Sequence, residues 1–261
     1  MELLIWILIF SLVGGVLSVI VAAAFLVIPH AVRERILPHS ISFAIGALLG
    51  AAFLALLPHA ISNPYVTDVH LLTGTVLIGL LIFFLLEKMV LWRHCHSNEC
   101  EAHIVDELHD HKGVSAAWMV LVGDGLHNFV DGVLIAAAFL TDFHLGVVTS
   151  LAVAAHEIPQ EVGDFIVLLN GGFSRAKALL FNILSSLTTV LGALLAYFGL
   201  SGVESALPYI LAIAASSFIY IAVADLIPGL HSRTHIKDGI KQFALIVAGI
   251  LVIALAHSTL H

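Results

Sequence analysis

Residues 145–169 read LGVVTSLAVAAHEIPQEVGDFIVLL. As a helix, a run of this length spans the roughly 30 Å hydrocarbon core of a bilayer. It nevertheless carries His156, Glu157, Glu161 and Asp164, with no Lys or Arg among them. An ionised Asp at the centre of a spanning helix costs roughly 2.5–3.5 kcal/mol on insertion scales. Acids grouped there without basic partners persist when protons, water or a bound cation neutralise them.

The chain around this run is membrane protein throughout. Of its 261 residues 60% are hydrophobic and the mean hydropathy is +1.08, more apolar surface than one water-soluble core can hide. Eight stretches are long and apolar enough to span: about 3–28, 41–61, 70–92, 115–140, 145–169, 176–200, 206–228 and 240–257. The breaks fall at IPHAVRERILPH, SNPYVTD, the 93–113 run, NGGFSRAK, SGVESALP and PGLHSRTHIKDG. The expectation is an all-α polytopic bundle of eight transmembrane helices, a single transmembrane domain over 1–261. The first stretch lacks a basic leader and exceeds a signal core in length, so it reads as a retained helix.

All ten Lys and Arg residues flank or occupy alternate connections, 1–2, 3–4, 5–6 and 7–8. Basic residues near span ends stay on the cytoplasmic side. The expected orientation therefore places both termini outside and the 3–4 loop inside, in the plasma or inner membrane. Cys95 and Cys100 lie in that loop, where a reducing compartment disfavours a structural disulfide. Nucleic-acid binding has no basic footprint in a chain of formal charge −8.

Between Gly113 and Ser174 there is no Lys or Arg, while GDGLHNFVDG supplies Asp124, His127, Asn128 and Asp131, and HEIPQEVGD supplies His156, Glu157, Gln160, Glu161 and Asp164. If spans 4 and 5 fold back at TDFH, 141–144, residues equidistant from the turn share a level. His127 and His156 then face one another near the bilayer midplane, with Asp131 a turn outward and Asp124, Gln160 and Asp164 on the inner side. Asp124, His127 and Asp131 form one stripe, His156 and Gln160 a second, and Glu157, Glu161 and Asp164 a neighbouring third. Two imidazoles with a carboxylate and an amide oxygen suit Zn²⁺ and its first-row neighbours better than Ca²⁺ or Mg²⁺. Pro159 is expected to open the turn beside His156 and free a backbone oxygen, and Gly123, Gly125, Gly132 and Gly163 to admit close helix approach.

HNFVDG at 127–132 and HEIPQE at 156–161, with LLPHA at 56–60, resemble the paired motifs of the ZIP (Zrt/Irt-like) metal-ion transporters. The resemblance covers the layout of essentially the whole chain. It implies import of Zn²⁺ (or Fe²⁺, Mn²⁺ or Cd²⁺) as transported substrate, with His127, Asp131, His156 and Gln160 lining the main site and Asn128, Glu157 and Glu161 an adjoining one. The family pattern has His where this chain has Gln160, which leaves metal choice open. The sixth span, FNILSSLTTVLG, lacks the carboxylate that completes a two-metal centre in some relatives, so one well-formed site with a weaker polar neighbour is expected.

Along the route, Asp124, Glu161 and Asp164 lead inward, His59 with Asp68 or His70 stands at the outer mouth, and Asp225 with His231 at the exit. The loop HCHSNECEAHIVDELHDH, 94–111, holds five His and two Cys and suits metal capture as a flexible cytoplasmic receiver. The similar runs AIGALLGAAFLALLP (44–58) and AIAASSFIYIAVADLIP (212–228) hint at a repeat. The alternatives are an intramembrane zinc metallopeptidase, because HEIPQ brushes against H-E-x-x-H, a haem carrier, and a metal-selective channel using the same ligands. The expected partners are divalent metal ions and the lipid bilayer, and the chain is free to act alone or as a homodimer.

Overall fold

The computed structural model describes residues 1–94, 110–231 and 236–260. Among them the chain forms eight long helices and no strand: α1 (Glu2–Phe25), α2 (His30–Ile61), α3 (Val69–His94), α4 (Asp110–Thr141), α5 (Phe143–Asn170), α6 (Arg175–Leu200), α7 (Glu204–Leu230) and α8 (Ile236–Leu260). In hydrocarbon every backbone group must be paired within the protein, which leaves helices as the solution for such sequences. Seven of the eight are long and apolar enough to cross a membrane by length and composition. The other is α5, set apart by Glu157, Glu161 and Asp164. Of the His-rich 94–111 loop, residues 95–109 lie outside the described residues.

Two sequence expectations about the course of the backbone are revised by the structure. The 30–40 stretch, read as a break, is helical from His30 onward, and only the Val27–Pro29 corner interrupts the chain. Ala, Arg, Glu and Leu favour helix strongly enough to carry it through Pro38, beyond which Ser42 Oγ donates to the Pro38 carbonyl at 2.7 Å. Pro159 likewise sits within an α5 that continues through it, and the Ala155 carbonyl there lacks the N–H that residue 159 would otherwise supply.

Backbone irregularity falls elsewhere. Six-residue π-helical stretches occur at Ala51–Leu56 in α2 and Ile221–Leu226 in α7, each two residues ahead of a proline, Pro58 and Pro228. A proline ring crowds the carbonyl four residues back, and a widened turn just before it relieves that crowding. The two runs that look alike in sequence thus carry the same backbone device at the same register. A third π-helical stretch, Val13–Leu17, contains Gly14 and Gly15.

Glycines set the two tightest helix crossings. A Cβ on Gly132 of α4 would strike the Thr189 carbonyl of α6, and one on Gly192 of α6 would strike the Phe129 carbonyl of α4. The same reciprocal contact joins α2 to α8, with Gly46 against the Ile246 carbonyl and Gly249 against that of Phe43. Gly163 faces open space and serves no such approach, contrary to the sequence expectation. Around these crossings α4 packs on α5 and α6, α2 on α8 and α3 on α7, with α5 also touching α1 and α2. The antiparallel α4–α5 pair turns at the single residue Asp142, whose carboxylate accepts from the Leu145 amide at 2.9 Å and caps α5. This turn sets the levels of the functional side chains.

Candidate metal centre

His127 and His156 meet across the α4–α5 interface with their Nε2 atoms 3.2 Å apart and their rings perpendicular. The Nδ1–H of His156 donates to the Ala152 carbonyl at 3.1 Å, which leaves the Nε2 lone pair facing His127. Phe218 of α7 closes the far side, its ring 6.1 Å from that of His156. His156, Asp131 and Glu157 are buried, and only the His127 side chain retains some exposure, 23%.

Around the two imidazoles stand two carboxylates. His127 Nε2 lies 3.8 Å from Asp131 Oδ2 and 3.4 Å from Glu157 Oε1. The corresponding distances from His156 Nε2 are 3.3 and 3.6 Å. Together with the 3.2 Å imidazole separation, five of the six edges of this four-atom figure fall between 3.2 and 3.8 Å. A regular tetrahedron of such edges has its centre about 2.1 Å from each corner, the bond length of Zn²⁺ to nitrogen and carboxylate oxygen. Both oxygens of Asp131 and both of Glu157 are buried without a hydrogen-bond partner. With neutral imidazoles the four groups carry a charge of −2, which one divalent ion balances.

A turn toward the far ends of α4 and α5, Asp124, Glu161 and Asp164 form a second group whose ligand atoms lie within 4.8 Å of one another. Helix α6 supplies its hydrogen bonds. Ser186 Oγ donates to Glu161 Oε1 at 2.7 Å, Ser185 Oγ donates to Asp124 Oδ2, and Thr189 Oγ1 donates to Asn128 Oδ1 at 2.8 Å. One stripe further along α6, Asn182 is fully buried with neither amide atom paired.

The structure brings together His127, Asp131 and His156, as the sequence anticipates, and adds Glu157, which had been expected in the adjoining site. Gln160, which the resemblance places in the main site, lies one helical turn beyond His156 on α5 and is half-buried. Asn128 is engaged by Asp124 and Thr189, its Nδ2 donating to Asp124 Oδ1 at 2.9 Å. Glu161 groups with Asp124 and Asp164, and Asn128 joins that group through its bond to Asp124. Asp225 and His231 are exposed near the end of α7, and Asp68 caps its own turn by accepting from the His70 amide at 2.8 Å. Sequence reasoning missed the hydroxyls of α6; their signal, SSLTT at 185–189, was present but had been read only for its lack of a carboxylate.

Residues 92–257 match the family model described as ZIP zinc transporter. Among curated proteins, the chain is 31% identical over 257 residues to the metal cation symporter ZIP14 of Xenopus tropicalis, covering 76% of this chain and 55% of that protein. It is 32% identical over 227 residues to the zinc transporter ZIP13 of Pongo abelii, covering 82% and 65%. Against the human zinc transporter ZIP6 the identity is 42% over 135 residues, 52% of this chain and 18% of that protein. The chain thus spans between about a fifth and two thirds of the length of these relatives.

Proposed function

The chain belongs to the ZIP zinc-transporter family, and from that premise we propose that it is a multi-pass carrier moving Zn²⁺, or a neighbouring divalent transition metal, across a membrane into the cytoplasm. The described helices act as one transporter domain with both termini outside, as the alternation of basic connections supports. With the family goes the metallopeptidase alternative, since its members are transporters.

The observation that carries the reading is the near-tetrahedral set of His127, Asp131, His156 and Glu157, whose buried carboxylates have no donor of their own. The imidazoles give borderline nitrogen donors that discriminate against Ca²⁺ and Mg²⁺. The two carboxylates cancel the charge of the ion and make its residence in a low-dielectric interior affordable. From there the ion passes inward to Asp124, Glu161 and Asp164, with Asn182 and the α6 hydroxyls lining the way. The hydroxyls hold these acids in place without neutralising them, so the ion exchanges one set of negative oxygens for another. Asp225 and His231 stand near the inner end of α7 as exit groups.

The test is uptake of Zn²⁺ into proteoliposomes in competition with other divalent ions, repeated with His127→Ala and His156→Ala. Both variants should lose uptake by more than about tenfold, since each removes one of four ligands. Undiminished uptake in both overturns the assignment.

A further inference from the structure

On the outside of the bundle, where Trp118, Leu126 and Leu184 are exposed, a groove of about 420 Å³ runs between α4 and α6. It extends along α4 from Trp118 to Phe129, about 16 Å at about 1.5 Å per residue. That is half of the roughly 30 Å hydrocarbon core, the depth of one leaflet. The polar side chains of its floor are already engaged: Ser185 Oγ donates to Asp124 Oδ2, and Thr188 Oγ1 donates to the Gly125 carbonyl at 2.6 Å. The rest of the lining is aliphatic or aromatic, so the groove offers its occupant apolar surface.

At the Trp118 end, the rings of Trp118, Phe173 and Phe181 pack edge to face with centroids 5.0, 5.6 and 5.7 Å apart. Aromatic side chains of this kind gather where a membrane meets water, and basic charge begins there. Lys177 lies one helical turn before Phe181, on the face that continues through Leu184 and Thr188 along the groove. Arg175 stands just before it. Both side chains are exposed, the first turn of α6 holds no acid, and among the described residues neither cation forms an ion pair. We propose that the groove binds an anionic phospholipid, with one acyl chain between α4 and α6 and the phosphate held by Lys177 and Arg175. An acyl chain matches the depth and the apolar lining, and a phosphodiester meets the two cations where the groove reaches the headgroups. A second copy packed on this face would draw these cations out of water, whereas a phosphate pairs them in place. On the orientation proposed above the site belongs to the cytoplasmic leaflet; it stands on the membrane-spanning fold alone and is independent of the metal centre.

The test uses the full chain with Trp6→Phe and Trp92→Phe, which leaves Trp118 as its one tryptophan, reconstituted in phosphatidylcholine with brominated acyl chains. Bromine quenches the indole on contact, so stepwise replacement by unbrominated phosphatidylglycerol reads exchange at the groove. Phosphatidylglycerol should be preferred by at least about fivefold, the effect of one basic residue at a membrane surface. Arg175→Gln with Lys177→Gln should bring the preference down to about one. Lys237→Gln with Lys241→Gln, an equal loss of charge near the start of α8, should leave it intact. Gly125→Leu, whose Cβ would meet nothing closer than 3.9 Å, fills the floor and should reduce quenching in the brominated lipid. The proposal is overturned by a preference near one in the unaltered groove, by a preference that survives the loss of Arg175 and Lys177 or falls equally with Lys237 and Lys241, by quenching that Gly125→Leu leaves unchanged, or by absence of quenching because a second copy covers the groove.

Discussion

Exchanging the two unpartnered carboxylates for amides, Asp131→Asn with Glu157→Gln, separates holding an ion from holding the fold. None of their four oxygens receives a hydrogen bond. An ionised carboxylate so placed costs roughly 2.5–3.5 kcal/mol, and a buried amide without partners costs about 1–3 kcal/mol. The exchange therefore gains about 1 kcal/mol per site in metal-free protein. For the double variant that amounts to a rise of roughly 4–8 °C in Tm, at about 2–4 °C per kcal/mol for a chain of this size. Zinc at a hundredfold excess over Kd should stabilise the unaltered protein by about 2.7 kcal/mol, or roughly 5–11 °C. The double variant, with a site charge of zero in place of −2, should lose most of that shift. Thermal unfolding of the detergent-purified protein, followed by tryptophan fluorescence in chelator and in zinc, reads both quantities. A variant that melts lower in chelator yet keeps the full zinc shift would show that these acids tie helices together and do not hold the ion.

Four further outcomes follow from the geometry. Gly132→Leu and Gly192→Leu should each abolish folded, monodisperse protein on size exclusion, because the new side chain meets a backbone carbonyl, whereas Gly163→Ala faces open space and should be neutral or stabilising by up to about 1 kcal/mol. Ser185→Ala with Ser186→Ala strips a donor from each of two buried carboxylates and should cost about 1–3 kcal/mol apiece in thermal unfolding, with lower zinc uptake. Glu157→Ala should weaken zinc affinity by calorimetry by about a hundredfold, since its carboxylate is one of the four clustered donors. Tyr65 donates to Glu204 Oε2 at 2.8 Å, a bond that, with the negative charge of Glu204, raises its phenol above the usual 10.0. The stabilisation from this link is complete below the ordinary value and is lost as the pH rises through the raised one. Ultraviolet titration should find one tyrosine above 10.0 that returns toward it in Glu204→Gln, and an unchanged curve would refute the link.

The fold was legible because eight apolar stretches in hydrocarbon admit little but helices, and the turn at Asp142 set the levels of α4 and α5 by simple counting from residue 142. What counting could not give was rotation. The helical repeat says that His156 and Gln160 share a stripe and that Glu157 begins the next, about 100° round, but not which of the two stripes α5 turns toward α4. That angle depends on packing: the Gly132–Gly192 crossing that draws α4 onto α6, and the wall of α7 at Phe218. With the α5 face set between His156 and Glu157, the Glu157 carboxylate enters the donor set beside His156. The hydroxyls of α6 were hidden for a related reason. Elsewhere in this chain Ser and Thr bond to the carbonyl four residues back, as Ser42, Thr141, Thr149 and Ser150 do, and such a residue is silent about its neighbours. Ser185, Ser186 and Thr189 depart from that habit because three acceptors, Asp124, Glu161 and Asn128, face them across the tightest contact in the bundle. A buried acid that sequence alone shows to be costly thus also indicates where donors must stand: on whichever helix the nearest small residues bring close.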